Sequence, residues 1–185
     1  MSGIAGILLA AGSSRRFGAD KRLMTLADGV PMVLASARKL ANVCPNTRVI
    51  LRADDAMVGK LLAKAGLETV VCEAADLGLG HSLSCGVRSM SDATGWLIAL
   101  ADMPYIQTDS YRCVLQTLQR GARLARPIHA GRPGHPVGFD STCFEELVAL
   151  TGDRGGQTVL DKTPSAVEFC SVDDPGVLKD VDRPS

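Results

Sequence analysis

The sequence predicts an α/β protein in which helices cover both faces of a mostly parallel central sheet. Apolar runs with strand character alternate with helical patterns along the whole chain. The first and fourth runs are almost continuously apolar, as expected for strands that are buried on both faces. A chain of 185 residues is long enough to bury a sizeable core. Because no linker or repeat interrupts the pattern, we expect a single domain over residues 1–185.

Four short runs predict strands, at residues 4–9, 48–52, 68–72 and 96–100. Strands that alternate with helices pair in parallel, and the ligands of such sheets bind at the carboxyl ends of the strands. The loops that follow Leu9, Cys72 and Leu100 should therefore share one edge of the sheet. Any site built by this fold is expected at that edge.

Three segments between these strands predict helices. Apolar side chains recur at helical spacing over residues 30–41, with Pro31 acceptable in the first turn. Residues 56–65 and 82–90 predict the second and third helices. The helices are expected to pack on the two faces of the sheet.

The balance of charges limits the partners that the chain could attract. It carries 20 Lys and Arg residues and 20 Asp and Glu residues. A neutral chain has no overall field that would collect nucleic acid or an anionic membrane, so we expect neither partner. Binding of an anion must instead depend on a local cluster of charge.

Two features predict a cytoplasmic protein. The N-terminal apolar stretch is too short to span a membrane, and its positive charges follow it, whereas those of a secretory signal come first. The six cysteines show no CxxC spacing, so we interpret them as small core residues in a reducing compartment.

The loop after the first strand carries an unusual cluster of positive charge. Four cations stand close together there: Arg15, Arg16, Lys21 and Arg22. With Asp20 included, the cluster has a local charge of +3. Ala10, Ala11 and Gly12 are small enough to let the backbone approach a ligand. The glycine spacing fits neither a Walker P-loop nor a dinucleotide fingerprint. The loop is therefore either a phosphate-binding loop of another kind or a solvated surface loop.

The loop after the fourth strand, within the segment "IALADMPYI", carries a carboxylate. Asp102 follows the buried strand directly, and Pro104 ends that strand. A carboxylate in this place is a good ligand for Mg²⁺, which takes one or two protein carboxylates together with phosphate oxygens. The alternative is that Asp102 caps the following turn or helix.

A third segment, "DLGLGHSLSCGV", places small residues around two hydroxyls. Gly78, Gly80 and Gly86 bracket Ser82 and Ser84. Small residues before a helix leave room for a flat base, and the N-terminus of the helix offers donors. The alternative is that Ser82 is simply the N-cap of the helix.

The first loop resembles a known family motif. The string Leu9-Ala10-Ala11-Gly12-x-Ser14-x-Arg16-Phe17-Gly18-x-x-Lys21 is similar to the LAAGxSxRMGxxK signature of the MobA-like nucleotidyltransferases, with Phe17 in place of Met. This family makes molybdenum cofactor dinucleotides from molybdopterin and a nucleoside triphosphate. The resemblance extends from Leu9 to Pro184, with the motifs in the family's order. It implies a three-layer, Rossmann-like nucleotidyltransferase fold.

The resemblance also implies a nucleotide site. Arg16 and Lys21 would contact the triphosphate, while Arg15 and Arg22 fall at variable positions and are interpreted as solvated neighbours. The other residues expected along the nucleotide are Leu9, Ala10, Ala11, Gly12, Ser14, Gly80, Ser82, Ser84 and Gly86. The Ser-rich form of the last segment resembles the cytidylyl-transferring branch, the MocA type. CTP is therefore the expected nucleotide and GTP the alternative.

The metal site follows from two family motifs. The segment ADMP is the family's metal-binding motif, so Asp102 would hold Mg²⁺, with Mn²⁺ as the alternative. Asp182 matches the second Asp of the family's DxD segment and is the expected second ligand, whereas Asp180 is assigned to substrate binding. Arg183 stands where the family has Thr, and the acidic pair that follows in the family is absent. The alternative is a frayed acidic tail.

Two later segments resemble the family's pocket for the second substrate. "GRPGHPVGF" and "TGDRGGQTVL" match its GxxGHPVxF and GDxGA-like segments. The implied contacts to molybdopterin are Gly134, His135, Pro136, Asp153 and Arg154, with Arg154 meeting the phosphate of the pterin. The histidines show no HxH or HxxxH spacing, so a histidine metal site is not expected. We interpret His135 as a structural or substrate-contacting group rather than a general base.

Together these motifs predict an enzyme that transfers CMP from CTP to the phosphate of molybdopterin and releases pyrophosphate without a protein nucleophile. A recipient molybdoenzyme or its chaperone is a further expected partner. Three alternatives stay open: guanylyl transfer from GTP, transfer to a sugar phosphate or another phosphorylated acceptor, and a non-catalytic module that binds the nucleotide or molybdopterin. The shortened C-terminal segment favours the last of these.

Overall fold

The structure, a computed structural model, describes residues 3–12 and 20–181. Three of the predicted site residues, Ser14, Arg16 and Asp182, lie outside the described residues. Their roles stay predictions.

Eight strands of the described part of the chain form one central sheet. They are β1 (Ile4–Leu9), β2 (Thr47–Leu51), β3 (Glu68–Val71), β4 (Gly95–Leu100), β5 (Leu124–His129), β6 (Arg132–Pro133), β7 (Val137–Asp140) and β8 (Val167–Ser171). The order across the sheet is β3-β2-β1-β4-β7-β5-β6, and β8 pairs with β5. β1 to β4 run parallel to one another, β7 is antiparallel to its neighbours β4 and β5, and β8 is again parallel to β5. The sheet is therefore mostly parallel.

Within residues 3–12 and 20–181, six α-helices cover the sheet in two layers. They are α1 (Met32–Val43), α2 (Ala56–Lys64), α3 (Leu79–Ser89), α4 (Thr108–Gln119), α5 (Phe144–Val148) and α6 (Gln157–Lys162). One apolar cluster joins α1, α2 and α4 to one face of the sheet, and a second cluster joins α3, α5 and α6 to the other face. The predicted three-layer α/β class is confirmed.

The alternation of side chains in β1 explains why this strand reads as a continuous apolar run. Ile7 and Leu9 belong to the cluster beneath α3, whereas Leu8, between them, belongs to the cluster beneath α1. Successive side chains of a strand point to opposite faces, so a strand covered on both sides needs apolar residues at every position. Burying each such side chain contributes about 1.5–3 kcal/mol.

The four predicted strands and three predicted helices are present, with shifts of one to three residues at some ends. Pro31 precedes α1 as its N-cap residue instead of lying in its first turn. The third helix begins at Leu79, earlier than predicted, with Gly78 as its N-cap. The alternative that Ser82 caps this helix is therefore wrong.

Cysteine placement agrees in part with the interpretation from sequence. All six are free thiols, and Cys44, Cys72 and Cys143 are buried while the other three are half-buried. Within the described part of the chain, no helix is both long and apolar enough to cross a membrane.

The sheet order creates a crevice at its carboxyl edge. From β1 the chain continues to β2 and β3 on one side, and then crosses to β4 on the other side of β1. Open parallel sheets bind ligands where the strand order reverses in this way. The crevice lies at the ends of β1 and β4, where the two motif-bearing loops begin.

Candidate functional site

The loops after β1 and β4 leave the sheet side by side. Leu9 and Leu100 are register partners, and the Ala101 amide donates to the Leu9 carbonyl at 3.1 Å. Ala10 and Ala11 are buried, and an added Cβ at Gly12 would have no atom of the described residues within 4 Å. None of the described residues therefore closes off the backbone at Gly12, which fits a ligand-binding loop.

An ion pair joins the two loops. Lys21 Nζ lies 3.6 Å from Asp102 Oδ2, with 15% of the Lys21 side chain and 40% of the Asp102 side chain exposed. The pair places the cation of the first motif and the carboxylate of the second in one site. Both residues were predicted as site residues from separate motifs.

Asp102 also has an acidic neighbour. The amide of Val181 donates to the Asp102 carbonyl at 2.8 Å, which brings the C-terminal segment against this loop. Burial raises the pKa of the Asp102 carboxyl; Lys21 lowers it, Asp180 raises it, and the net effect is upward. A carboxylate whose negative charge is disfavoured in this way is well suited to binding a cation.

The carboxylates present fit a hard divalent ion. Among residues 3–12 and 20–181, no three His, Cys, Asp or Glu side chains are grouped closely enough to hold a metal ion. Mg²⁺ usually takes only one or two carboxylates and completes its shell with phosphate oxygens and water. Asp102 with a carboxylate of the adjacent acidic segment satisfies that smaller requirement.

Side chains from α1 fix the loop that carries Asp102. Ser36 Oγ donates to the Ala101 carbonyl at 2.9 Å, and Lys39 Nζ donates to the Pro104 carbonyl at 2.6 Å. The loop is therefore held on both sides of Asp102.

The capping role near this loop belongs to another carboxylate. Asp174 is buried and accepts from the Gln107 amide at 2.8 Å and from Ser110 Oγ at 2.7 Å, in the first turn of α4. It also accepts from the Gly176 amide at 2.8 Å, which ties the C-terminal segment to α4. Asp174, rather than Asp102, meets the start of α4.

Arg22 is not the solvated neighbour that its variable motif position indicated. Only 5% of the residue is exposed. Its guanidinium donates to the Ala10 carbonyl at 2.6 Å, to Asp55 at 2.5 Å and to Asp20 at 2.7 and 2.8 Å. We call Arg22, Asp20 and Asp55 the Arg22 cluster. The cluster holds the start of the first loop in place through the hydrogen bond from Arg22 to the Ala10 carbonyl.

Gly80, at the start of α3, packs against a neighbouring loop. The Gly80 amide donates to the Gly152 carbonyl at 2.7 Å. Gly78 has a φ of +123°, and an added Cβ there would lie 2.6 Å from Asp153 Oδ1. The structure thus brings Asp153 to the start of the segment that was predicted to read the base.

Three residues of α3 that were predicted to contact the nucleotide are buried. Ser82 is 2% exposed, and Ser84 Oγ donates to the Val148 carbonyl at 2.7 Å. An added Cβ at Gly86 would lie 2.9 Å from Ile7 Cγ2, so this glycine lets α3 approach the sheet. These contacts account for Ser84 and Gly86 without a ligand, and their nucleotide role stays a prediction.

A cavity of about 140 Å³ opens beside the two loops. Leu9 and Leu100 line it, so it adjoins the crevice directly. Its walls are mainly apolar, with Leu79, Leu83, Ile98, Val137, Phe139 and Leu160. Its polar side chains are Arg126, His135, Arg154 and Gln157. The predicted substrate contacts His135 and Arg154 therefore meet in one place.

The GHPV segment forms one side of this cavity. An added Cβ at Gly134 would lie 2.4 Å from the Val177 carbonyl, and the His135 amide donates to the same carbonyl at 2.9 Å. The His135–Pro136 peptide bond is cis, and Pro136 is buried. The segment is thus fastened to the short 3-10 helix Pro175–Leu178, which leads to Asp180.

His135 is a neutral side chain at ordinary pH. Burial, and secondly the charge of Arg126, lowers its pKa to about 4. Its Nδ1 is enclosed and has no hydrogen-bond partner among the described residues. These facts agree with a structural or contact role.

Arg126 was missed by the sequence reasoning. It lies in β5, where the sequence reads Leu-Ala-Arg-Pro, and it fits no part of the motifs that marked the neighbouring segment. A single arginine among the apolar residues at the start of β5 was the one available signal. Its position in the cavity depends on the pairing of β5 with β7, which the sequence did not predict.

Comparisons with known proteins agree with this geometry. A family model described as the MobA-like NTP transferase domain matches residues 6–167. Purine catabolism protein PucB of Bacillus subtilis (strain 168) is 29% identical over 198 residues, covering 97% of this chain and 91% of that protein. Nicotine blue oxidoreductase of Paenarthrobacter nicotinovorans is 26% identical over 191 residues, covering 97% and 92%.

Solved structures show the same relationship. The crystal structure of Rv0371c from Mycobacterium tuberculosis H37Rv superposes with a TM-score of 0.85 at 27% identity, covering 98% of this chain and 94% of that one. A complex of Rv0371c with manganese superposes with a TM-score of 0.77 at 25% identity, covering 91% and 88%. Since the family model spans most of the sequence, the chain belongs to the MobA-like NTP transferase family and is a nucleotidyltransferase by that membership.

Proposed function

We propose that this chain transfers CMP from CTP to the terminal phosphate of molybdopterin and releases pyrophosphate. The observation that carries the proposal is the Lys21–Asp102 pair at the junction of the two loops, next to a cavity able to receive a second substrate. A triphosphate needs cations, a divalent ion needs a carboxylate, and an acceptor needs space beside both. The resemblance of the first motif supports molybdopterin as the acceptor, and the Ser-rich segment supports CTP.

The proposed reaction is an in-line displacement at phosphorus. An oxygen of the molybdopterin phosphate attacks the α-phosphorus of CTP and forms the new P–O bond. The bond from the α-phosphorus to the oxygen that bridges to the β-phosphate breaks, and its electron pair leaves with pyrophosphate. The attacking phosphate is already anionic at neutral pH, so the reaction needs no protein base. The neutral His135 is therefore free of that task.

The side chains of this chain supply position and charge. The backbone of Ala10 to Gly12 would lie along the nucleotide, and Lys21 would hold the β- and γ-phosphates as they separate. By resemblance, Arg16 would join Lys21. Because the ammonium of Lys21 lies near Asp102, the triphosphate and the carboxylate would share that cation. Electrostatic positioning of this kind is the main source of catalysis in phosphoryl and nucleotidyl transfer.

Asp102, with Asp182 or Asp180 as its acidic neighbour, would hold a divalent ion. When bound, Mg²⁺ or Mn²⁺ would neutralise negative charge on the phosphates of the nucleotide. The manganese complex of the Mycobacterium tuberculosis relative supports the use of a divalent ion. The raised pKa of Asp102 supports the same interpretation, since a cation would favour the ionised form.

Pyrophosphate release is the direct test of the nucleotide and the acceptor. CTP, GTP and ATP would each be offered with Mg²⁺, in the presence and absence of molybdopterin. We expect release that depends on molybdopterin and is fastest with CTP. Faster release with GTP would identify a guanylyltransferase. Tight nucleotide binding by calorimetry without product would instead identify a binding module.

Substitution at the junction tests the site. Asp102→Ala and Lys21→Ala should each lower kcat by about 10²-fold or more, because each removes a charge that acts on the phosphates. Asp109→Ala is the matched control, since it removes a carboxylate whose side chain is 86% exposed and pairs with Arg112 on the surface of α4. Turnover like the wild type in both junction variants would contradict the proposal.

The names of the two relatives do not identify the acceptor. One is a purine catabolism protein and the other an oxidoreductase, and neither name specifies a nucleotide or an acceptor. The choice of molybdopterin therefore depends on the motif resemblance. A panel of phosphorylated acceptors should accompany the measurement, with transfer to a sugar phosphate as the outcome that would replace molybdopterin.

A further inference from the structure

Arg126 differs from most other charged groups near the site because no carboxylate balances it directly. Among the described residues it forms no ion pair, and its one hydrogen bond runs from Nε to the Gly134 carbonyl at 3.1 Å. The residue is half-buried, and burial lowers its pKa. A guanidinium stays charged in proteins, so the cavity holds a partly desolvated positive charge.

The nearest acidic influence on Arg126 is already engaged elsewhere. Asp161 acts on Arg126 through its charge. Its carboxylate, however, accepts from Arg154 and from Gln157, the latter at 2.6 Å. The guanidiniums of Arg126 and Arg154 are thus both influenced by the single carboxylate of Asp161. Since Asp161 is paired with Arg154, the positive charge of Arg126 is left without a paired carboxylate.

Arg154 is a weaker candidate for binding an anion. Its side chain is 69% exposed and its guanidinium is paired with Asp161. An exposed, paired arginine contributes little binding free energy to a ligand, because water and its carboxylate partner already accept its hydrogen bonds. Arg126 lines the same cavity, is less exposed and has donors left over. The phosphate-binding role assigned to Arg154 from sequence therefore fits Arg126 better.

The apolar walls and the volume of the cavity indicate the shape of ligand that it could bind. Its apolar walls are leucine, isoleucine, valine and phenylalanine side chains, and its volume of about 140 Å³ suits a group the size of a ring. Apolar walls accept the faces of a flat ring, whereas a guanidinium at the edge accepts an anion with paired hydrogen bonds. The neutral His135 adds no second charge beside Arg126.

We propose that Arg126 determines specificity for the acceptor, by binding an anionic substituent on a flat ring that enters this cavity. The inference rests on the proposed function in one respect, since it takes the cavity to be the place of the acceptor. The anion could be a phosphate or a carboxylate, because both have oxygens that match the guanidinium fork. A neutral ring of the same size should bind more weakly.

A matched pair of fluorescent ligands tests the inference without turnover. Pterin-6-carboxylate carries the anion and 6-methylpterin lacks it, and both would be titrated at pH 7 into wild type, Arg126→Gln, Arg126→Lys and Arg154→Gln. We expect the wild type to prefer the carboxylate by about tenfold, as a charge-assisted pair would give. Arg126→Gln should lose this preference, Arg126→Lys should keep part of it, and Arg154→Gln should keep it.

Steady-state kinetics test whether Arg126 binds a phosphate in the same way. With molybdopterin as acceptor, Arg126→Gln should raise KM for molybdopterin by about tenfold and change KM for CTP by less than about threefold. A merely structural role would disturb both substrates together. An unchanged carboxylate preference in Arg126→Gln, or no saturable binding of either pterin to the wild type, would overturn the inference. Absence of pyrophosphate release in the wild type would count against the proposed function alone, because the pterin titration does not depend on it.

Discussion

Two buried or half-buried arginines of this protein have opposite surroundings. Arg22 lies beneath the first loop and donates to two carboxylates and a backbone carbonyl. Arg126 lies in the cavity and donates to a single carbonyl. The first is a cation whose hydrogen-bonding capacity is used up within the fold, whereas the second has capacity to spare.

The difference separates a scaffold from a binding group. A buried charge with all its partners in place fixes the groups around it, and here it fixes the backbone carbonyl of Ala10 at the start of the phosphate loop. A half-buried charge without an anion is costly unless a ligand supplies one. Arg22 should therefore matter most for stability and Arg126 most for binding.

The largest expected effect comes from breaking the Arg22 cluster. Asp55→Ala should destabilise the protein by about 3–5 kcal/mol, because it leaves the guanidinium of Arg22 buried without one of its two carboxylates. Unfolding in urea, followed by circular dichroism, measures the change. Asp109→Ala is the control, since its side chain is 86% exposed and pairs with an exposed arginine on α4, and it should cost less than about 0.5 kcal/mol.

A second substitution sharpens this result. Adding Arg22→Met to Asp55→Ala removes the unpaired charge as well, so the double variant should be more stable than Asp55→Ala alone. If the two substitutions were simply additive, Arg22 and Asp55 would not be acting as a pair, and the contrast with Arg126 would fail.

The cavity should show its own dependence on pH through His135. Its folded-state pKa of about 4 lies below the ordinary value near 6.5, so the unfolded chain binds this proton more readily. Stability should therefore fall as the pH falls from about 6.5 towards 4, by up to about 3 kcal/mol from this group. The free energy of unfolding of wild type and His135→Gln would be compared across that range, and the variant should lose less.

The Arg22 cluster responds to acid in a different window. Burial raises the pKa of Asp55, but the hydrogen bond from Arg22 and the other contacts outweigh it and lower the pKa overall. A lowered carboxyl pKa contributes stability that is present above the unfolded-state value of about 3.9 and is lost as the pH falls through the folded value.

The two pH ranges allow the His135 prediction to be tested separately. Loss of stability above pH 4.5 that is equal in wild type and His135→Gln would contradict the assignment to His135.

The sequence predicted the first half of this molecule better than the second. Strands β1 to β4 can be predicted from the sequence because parallel strands covered on both faces must be apolar throughout. The loops that follow β1 and β4 also carry specific motifs. Lys21 and Asp102 were found from those motifs, and the structure brings them together. The local sequence pattern was enough to predict these residues because each lies in the loop that directly follows a predicted strand.

The parts that escaped prediction depend on contacts between distant segments. Arg22 meets Asp55 only because the loops after β1 and β2 leave the same edge of the sheet, and nothing in the spacing of the two residues indicates their contact. Arg126 reaches the cavity because β7 returns antiparallel between β4 and β5. A charge count along the chain treats Arg22 and Arg126 alike, and only their burial and their hydrogen-bond partners in the folded chain distinguish them.

The smallest expected effect tests whether Ser84 belongs to the scaffold or to the nucleotide site. Its hydroxyl donates to the Val148 carbonyl, which also accepts from Arg88 at 3.0 Å. Ser84→Ala should therefore cost about 1 kcal/mol of stability, the usual value of one buried hydrogen bond, and the second donor should limit the loss. KM for CTP should stay within about twofold of wild type. A tenfold rise in that KM with unchanged stability would return Ser84 to the nucleotide, as the motif indicated, and would extend the binding surface along α3.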